Sequence, residues 1–339
     1  PNKRLKNYVC EWSEQNNYIY SFKNNIYRSN SSSGPLEYLG RFPESFIYKI
    51  LLRFSLFRRL FRKSFYNVIP LKNGSYFVSY GRNIGFIKDK KYSPISNIQK
   101  SFRVLRSAAA IDEHGNVFFG EYISNNERLP VKIYKYVPGN NKLEVVYEFE
   151  AGVIRHIHGI YFDKYTKSLW CLCGDIGSEN KIIQSFDEFS TISVVGNGDE
   201  TWRAVSVLFT KKHFYYGMDA EYADNYIIKV NRKDLKRKKI GKVNGPVYYS
   251  YKHNNKLFFA VTAELCASQT DKYASLYVVD LKDKIDRILD YEKDFFSVKY
   301  FLPGAIYFPA GPGEVNEMLF NTIALKNKIS NSYSLNNNN

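Results

Sequence analysis

The sequence is poor in the residues that staple small proteins or hold metals: 339 residues include only 4 Cys, 5 His and 2 Met. Cys10, Cys171, Cys173 and Cys266 form neither a Cys-x-x-Cys pair nor a paired Cys/His cluster, which argues against a disulfide framework and a structural zinc. Cys171 and Cys173 alternate within a strand-like run, so they point to one face but stand too far apart for an unstrained disulfide. A reducing, cytoplasmic compartment is therefore expected. No leader is visible, and a start at Pro1 is compatible with a removed one. RNA-binding, helix-turn-helix and zinc-finger patterns are also missing, so nucleic acid is not the expected partner.

Flat aromatic side chains are plentiful, with 29 Tyr and 25 Phe, and they suit strands better than helices. Hydrophobic residues make up 44%, enough to bury a large core in one all-β domain. Lys and Arg outnumber Asp and Glu by 49 to 33, a net charge of +16. That sign favours anionic partners such as acidic polysaccharide or a phospholipid surface; a Lys-rich codon bias is the competing explanation.

Internal repetition defines the architecture. Each copy has a short run of small or aromatic residues, a turn, and an apolar strand that closes on a small and a polar residue. Clear copies span Arg106–Tyr122, His156–Asp175, Trp202–Asp219 and Pro246–Glu264; weaker ones span Phe65–Asn83 and Pro303–Thr322. The polar ends Glu121, Asp175, Asp219 and Glu264 lie 54, 44 and 45 residues apart, the length of a four-stranded blade. The expectation is a single all-β domain over 1–329, a six-bladed β-propeller in which N-terminal strands (Tyr18–Phe22, Asn25–Ser29, Leu36–Phe42) complete the last blade. Seven blades result if that segment forms its own sheet.

Two stretches depart from the repeat. Phe46–Lys63, inside an insertion at 44–64, has no Gly or Pro and reads as one amphipathic helix, with Phe46, Ile47, Ile50, Phe54, Phe57 and Phe61 on one arc and cations around the rest. It suits either an anionic membrane surface, making the protein peripheral to a membrane, or the propeller flank. Residues 330–339 are polar and low in complexity, which predicts disorder.

In a propeller the start of the innermost strand and the end of the second strand meet at one rim. Glu121, Asp175, Asp219 and Glu264 are thereby expected to converge there with His156, His158 and Tyr248 as catalytic candidates. Arg82, Arg106, Trp202, Arg203 and Glu221 are the substrate-binding candidates. The carboxylates could instead cap backbone or pair with Arg between blades, and Trp202 and Tyr248 could stack on a sugar or fill the channel wall. His156-x-His158 places both imidazoles on one strand face, but a metal would need further ligands; neither metal nor cofactor is expected.

The span Arg106–Glu264 resembles the sialidase-like propellers with Asp-box repeats, including bacterial members associated with surface polysaccharides. Ser185–Ile192 (SFDEFSTI) is the nearest echo of the Asp-box and lacks its Gly and Trp; Arg41-Phe42-Pro43 and Arg128-Leu129-Pro130 echo the Arg-Ile-Pro element. The resemblance implies a sugar-facing channel mouth without a named reaction. The leading expectation is a glycoside hydrolase or lyase acting on an acidic glycan, with carboxyls or His156/His158 moving protons and Arg106 and Arg203 clamping a carboxylate. The alternative is a non-catalytic platform that binds a glycan or protein.

Overall fold

The computed structural model describes residues 2–3, 5, 7–98, 101–140, 142–312, 317–326 and 332–335. Apolar runs separated by Asn, Asp and Gly turns pair locally into antiparallel hairpins. Asn254 (φ 54°), for example, turns Val247–His253 back into Lys256–Val261. The hairpins assemble into seven four-stranded sheets, the blades of a β-propeller, and strands are lettered a to d from the channel outward.

Blade 1 comprises Val9–Glu14, Asn17–Phe22, Asn25–Ser29 and Glu37–Arg41. Blade 2 comprises Phe65–Pro70, Tyr76–Tyr80, Asn83–Lys88 and Lys91–Pro94. Blade 3 comprises Ala110–Ile111, Val117–Gly120, Val131–Val137 and Lys142–Phe149. Blade 4 comprises Ile157–Asp163, Ser168–Cys173, Asn180–Ser185 and Ser193–Gly198. Blade 5 comprises Val207–Phe209, His213–Gly217, Tyr226–Asn231 and Arg237–Lys242. Blade 6 comprises Val247–His253, Lys256–Val261, Tyr273–Val279 and Ile285–Glu292. Blade 7 takes strands a to c from Ala305–Tyr307, Met318–Ile323 and Ser332–Leu335, and strand d from Asn2–Lys3 at the other end of the chain.

Burial follows the radius. Strand b of blade 4 is wholly buried, whereas strand d of blade 5 is mostly exposed. The aromatic residues work between sheets: Phe86 of blade 2 stacks on Tyr136 of blade 3 at 4.1 Å, and Phe77 meets Phe119 at 5.3 Å. All four cysteines are free.

The count is seven because Val9–Glu14 joins the N-terminal strands into a sheet of their own, leaving only Asn2–Lys3 to complete the last blade. Ser332–Leu335, inside the segment expected to be disordered, is a paired strand; its Ser332 hydroxyl donates to Asn321 at 2.6 Å and accepts from the Cys10 amide at 2.9 Å. The remainder of that tail lies outside the described residues. The expected single helix is two, α1 (Phe46–Leu51) and α2 (Ser55–Leu60), broken at the extended Phe54 (φ −92°, ψ 131°). The break lets Tyr48 meet Phe61 with ring centroids 5.6 Å apart, whereas an unbroken helix would hold them roughly 20 Å apart. Arg58 donates to the carbonyls of Leu52 (2.6 Å) and Arg53 (3.2 Å), satisfying the end of α1. Among the described residues no helix is long and apolar enough to cross a membrane.

Arg106 is buried in the ring wall, where it pairs with Glu11 of blade 1 at 2.6 Å and donates to the Phe65 carbonyl of blade 2 at 2.5 Å. Its guanidinium lies 4.4 Å from the ring centre of Tyr307 in blade 7. One side chain just before blade 3 thus ties three other blades. Arg106→Met should lower stability by about 3–5 kcal/mol, because Glu11 is left buried without its counter-charge and with only the Ser21 hydroxyl as partner. Glu11→Gln/Arg106→Met should recover much of that loss. Urea unfolding of the wild type and both variants checks this; equal midpoints would refute it.

Candidate functional site

Strands a and b of a blade run antiparallel, so residues before strand a and after strand b share a rim. His156 and His158 enter strand a of blade 4, and Asp175 follows its strand b. Gly174 (φ 87°) makes the turn between them; a Cβ there would collide with the Glu179 carbonyl, so only glycine aims Asp175 inward. Blades 5 and 6 deliver Arg203, Asp219, Tyr248 and Glu264 by the same rule.

Asp175 is the hub. Its Oδ1 lies 3.2 Å from Nε2 of both His156 and His158 and 3.4 Å from Arg203, and its Oδ2 accepts from Arg155 at 3.1 Å. Burial alone would raise its pKa, whereas hydrogen bonds from the two imidazoles, when their Nε2 atoms carry protons, hold the carboxyl well below the usual carboxylate range. Arg203 also reaches Asp219, Nε to Oδ2 at 3.0 Å, so one guanidinium stands between two carboxyls. Asp219 is fully enclosed. Burial raises its pKa far above normal against the pull of Arg203, with Glu264 and Asp175 adding repulsion. Tyr248 donates a short hydrogen bond to Glu264, whose pKa burial raises.

The Nδ1 atoms of His156 and His158 face the carbonyls of Ile123 (3.0 Å) and Ala204 (2.9 Å). A carbonyl only accepts, so each contact is a hydrogen bond when Nδ1 carries the proton, and in that tautomer Nε2 presents a lone pair toward Asp175. Burial lowers the pKa of His158, which disfavours a second proton there, and Nε2 of His156 has no aligned hydrogen bond among the described residues. In that tautomer a cation would reconcile the two nitrogens with the carboxylate oxygen; with a proton on Nε2, His158 instead donates to Asp175. The three donor atoms lie within 4.8 Å of one another, a compact set for one ion.

The other sequence candidates stand outside the Asp175 hub. Glu121 is spent on its own blade: it accepts from the Tyr134 hydroxyl at 2.8 Å and the Lys132 amide at 3.1 Å. Arg106 is held by Glu11 and is no free clamp. Trp202 packs beside Tyr216, with the Arg237 guanidinium 4.0 Å from its ring centre, so its face is already covered. Glu221 stands half-buried at the rim, where its charge helps raise Glu264. Arg82 is exposed on the b–c turn of blade 2. Sequence reasoning missed Tyr122, whose ring lies 4.2 Å from that of His156. Burial and the surrounding carboxylates push its pKa up to about 12. It also missed Arg155. Both adjoin residues that were singled out, and strand parity was the available signal.

Beside Arg106, Tyr161, Tyr248 and Tyr249 the channel keeps a cavity of about 40 Å³, which suits a few waters but not a sugar ring.

No protein-family model and no curated protein sequence matches the chain. Solved structures do. An oligogalacturonate lyase in complex with manganese superposes with TM-score 0.61 at 10% identity, over 98% of this chain and 89% of that one. The oligogalacturonate lyase of Vibrio parahaemolyticus gives 0.60 at 10% identity over the same shares. The AfRom2 CNH domain gives 0.57 at 10%, over 99% and 96%. At such identities the likeness is one of fold alone: a β-propeller.

Glu121→Gln should cost about 1–2 kcal/mol of stability, since a buried charge-assisted acceptor is weakened. Ligand binding at the mouth should stay unchanged. Thermal melts paired with a binding titration check this; lost binding in a fully folded variant would return Glu121 to the site.

Proposed function

We propose that the channel mouth binds an acidic oligosaccharide and cleaves it by elimination, with a divalent cation held by His156, His158 and Asp175. The observation carrying this reading is the pair of Nε2 atoms 3.2 Å from one carboxylate oxygen, each ring with its Nδ1 on a backbone carbonyl. Two imidazoles and a carboxylate suit a divalent first-row metal, and a structural neighbour of this fold is a lyase solved with manganese. Such an ion would neutralise a uronate carboxylate and acidify the adjacent C–H. Hydrolysis is less well supported, because Asp175 and Asp219 share Arg203 and neither is a free nucleophile.

The chain's own groups supply the rest. His156 and His158, as ligands, are not available as bases. Glu264, its pKa raised by burial, is the stronger proton acceptor, and Tyr248, held neutral by burial, is the donor to the leaving oxygen. The acidic group would meet Arg62, Arg82 and Arg103, which have no carboxylate partner among the described residues. Burial, together with the charges of Arg62 and Arg82, lowers the pKa of Arg103.

A second reading is a non-catalytic platform. It is favoured by the pairing of the mouth acids with Arg155 and Arg203 and by the small channel cavity.

After dialysis against Mn2+, the wild type should retain about one ion per chain, and His158→Ala and Asp175→Asn should bind at least about tenfold more weakly. Trigalacturonate should yield an unsaturated product with the wild type and none with Tyr248→Phe. Metal binding without turnover of any acidic glycan selects the platform; unchanged metal affinity in both ligand variants removes the cation.

A further inference from the structure

The connections from strand d of one blade to strand a of the next all reach the rim that carries His156. Two of the longer ones meet: the helical insertion between Arg41 and Phe65, and residues 293–304 between blades 6 and 7. Arg59 joins them, pairing with Asp294 at 2.6 Å and lying 5.0 Å from the ring centre of Phe296 and 5.7 Å from that of Phe301.

Around this joint the apolar surface is bare. Phe46 is 76% exposed, Ile47 68%, Phe54 61%, Phe295 89% and Tyr300 60%. Monomeric proteins rarely leave so many large apolar side chains together in water. The acids nearby are neutralised, Asp294 by Arg59 and Lys293 and Glu44 by Lys63. The exposed cations Lys49, Arg53 and Lys299 have no carboxylate partner among the described residues. Apolar tips ringed by uncompensated positive charge are complementary to lipid headgroups of negative charge, not to another copy of the same basic patch.

We infer that this two-segment patch seats the propeller on an anionic bilayer surface, with the channel mouth on the membrane-facing side. Helices of six residues cannot span the bilayer, so Phe46, Ile47, Phe54 and Phe295 dip into the headgroup layer while the cations meet phosphate and carboxylate. Any acidic glycan handled at the mouth would then lie close to the lipid surface.

Co-sedimentation tests this without reference to turnover. The full chain should pellet with vesicles of phosphatidylcholine containing about one third phosphatidylserine and far less with phosphatidylcholine alone. Phe54→Ser/Phe295→Ser and Arg53→Glu/Lys299→Glu should each lower the bound fraction by about tenfold or more, with circular dichroism unchanged. The inference fails if the wild type stays in the supernatant or if both variants pellet like it. It also fails if the wild type is a dimer that Phe54→Ser/Phe295→Ser dissociates while no vesicle is bound, since a second copy then covers the patch.

Discussion

A ring of sheets keeps its shape only when the last sheet is tied to the first, and here the tie is made mostly on the channel side. At the outer edge Asn2 and Lys3 pair with Ser334 and Tyr333, a contact of two residues. Closer to the axis, Asn321 of blade 7 accepts from the Cys10 amide at 2.9 Å and donates to the Cys10 carbonyl at 2.8 Å. The Ser13 amide donates to the Ala310 carbonyl at 2.9 Å, and the Ala310 amide to the Glu11 carbonyl at 2.8 Å. Glu11 then holds Arg106 across the wall. Polar groups buried at this seam are fully matched, and matched groups in a low dielectric specify one register more sharply than apolar contact does. The convergence of blades 3 to 6 at the mouth depends on that closure.

The mouth has a different electrostatic order. Acids and bases are interleaved: Arg155 and Arg203 flank Asp175, Arg203 bridges to Asp219, and Tyr248 caps Glu264. Burying this many carboxyls near one another is costly, and the pKa shifts part accordingly. Asp175 is driven down by its imidazole contacts and Asp219 is driven up by burial against the pull of Arg203. Under the proposed lyase reading, opposite shifts around a single guanidinium would help to separate acid from base roles.

The sequence revealed the blade period because each blade needs its own buried second strand, and runs such as VFFG, SLWCLC and KLFFAV stand out locally. Blade 1 did not, since its inner strand VCEWSE carries Glu11, buried only because Arg106 comes 95 residues later. The strand Ser332–Leu335 was hidden likewise: its serines look like linker until Asn321 and Cys10 are seen to satisfy them. At the site, spacing found Asp175, His156, His158, Arg203, Asp219, Tyr248 and Glu264 together. It failed where strand parity decides, choosing Glu121, which faces its own sheet, over Tyr122, which faces the histidines. It failed again where partners decide, since Arg106 is no clamp once Glu11 holds it.

Net charge alone cannot separate a biased composition from a functional surface, but its distribution can. Many cations on the outer strands are paired: Lys229 and Lys238 share Asp283, Lys272 and Lys326 share Glu292, and Lys242 meets Asp224. Those residues raise solubility and cancel locally, which is what compositional drift filtered for stability would leave. The cations on the rim face differ by company. Arg62, Arg82 and Arg103 lie near Tyr66 and Tyr122 at the mouth, and Lys49, Arg53 and Lys299 lie beside bare Phe and Tyr side chains. Drift places charges independently of aromatic exposure, whereas binding to an acidic ligand or surface requires the two together. The positive charge that the proposed acidic ligand and lipid surface would use is therefore the small fraction on this one face.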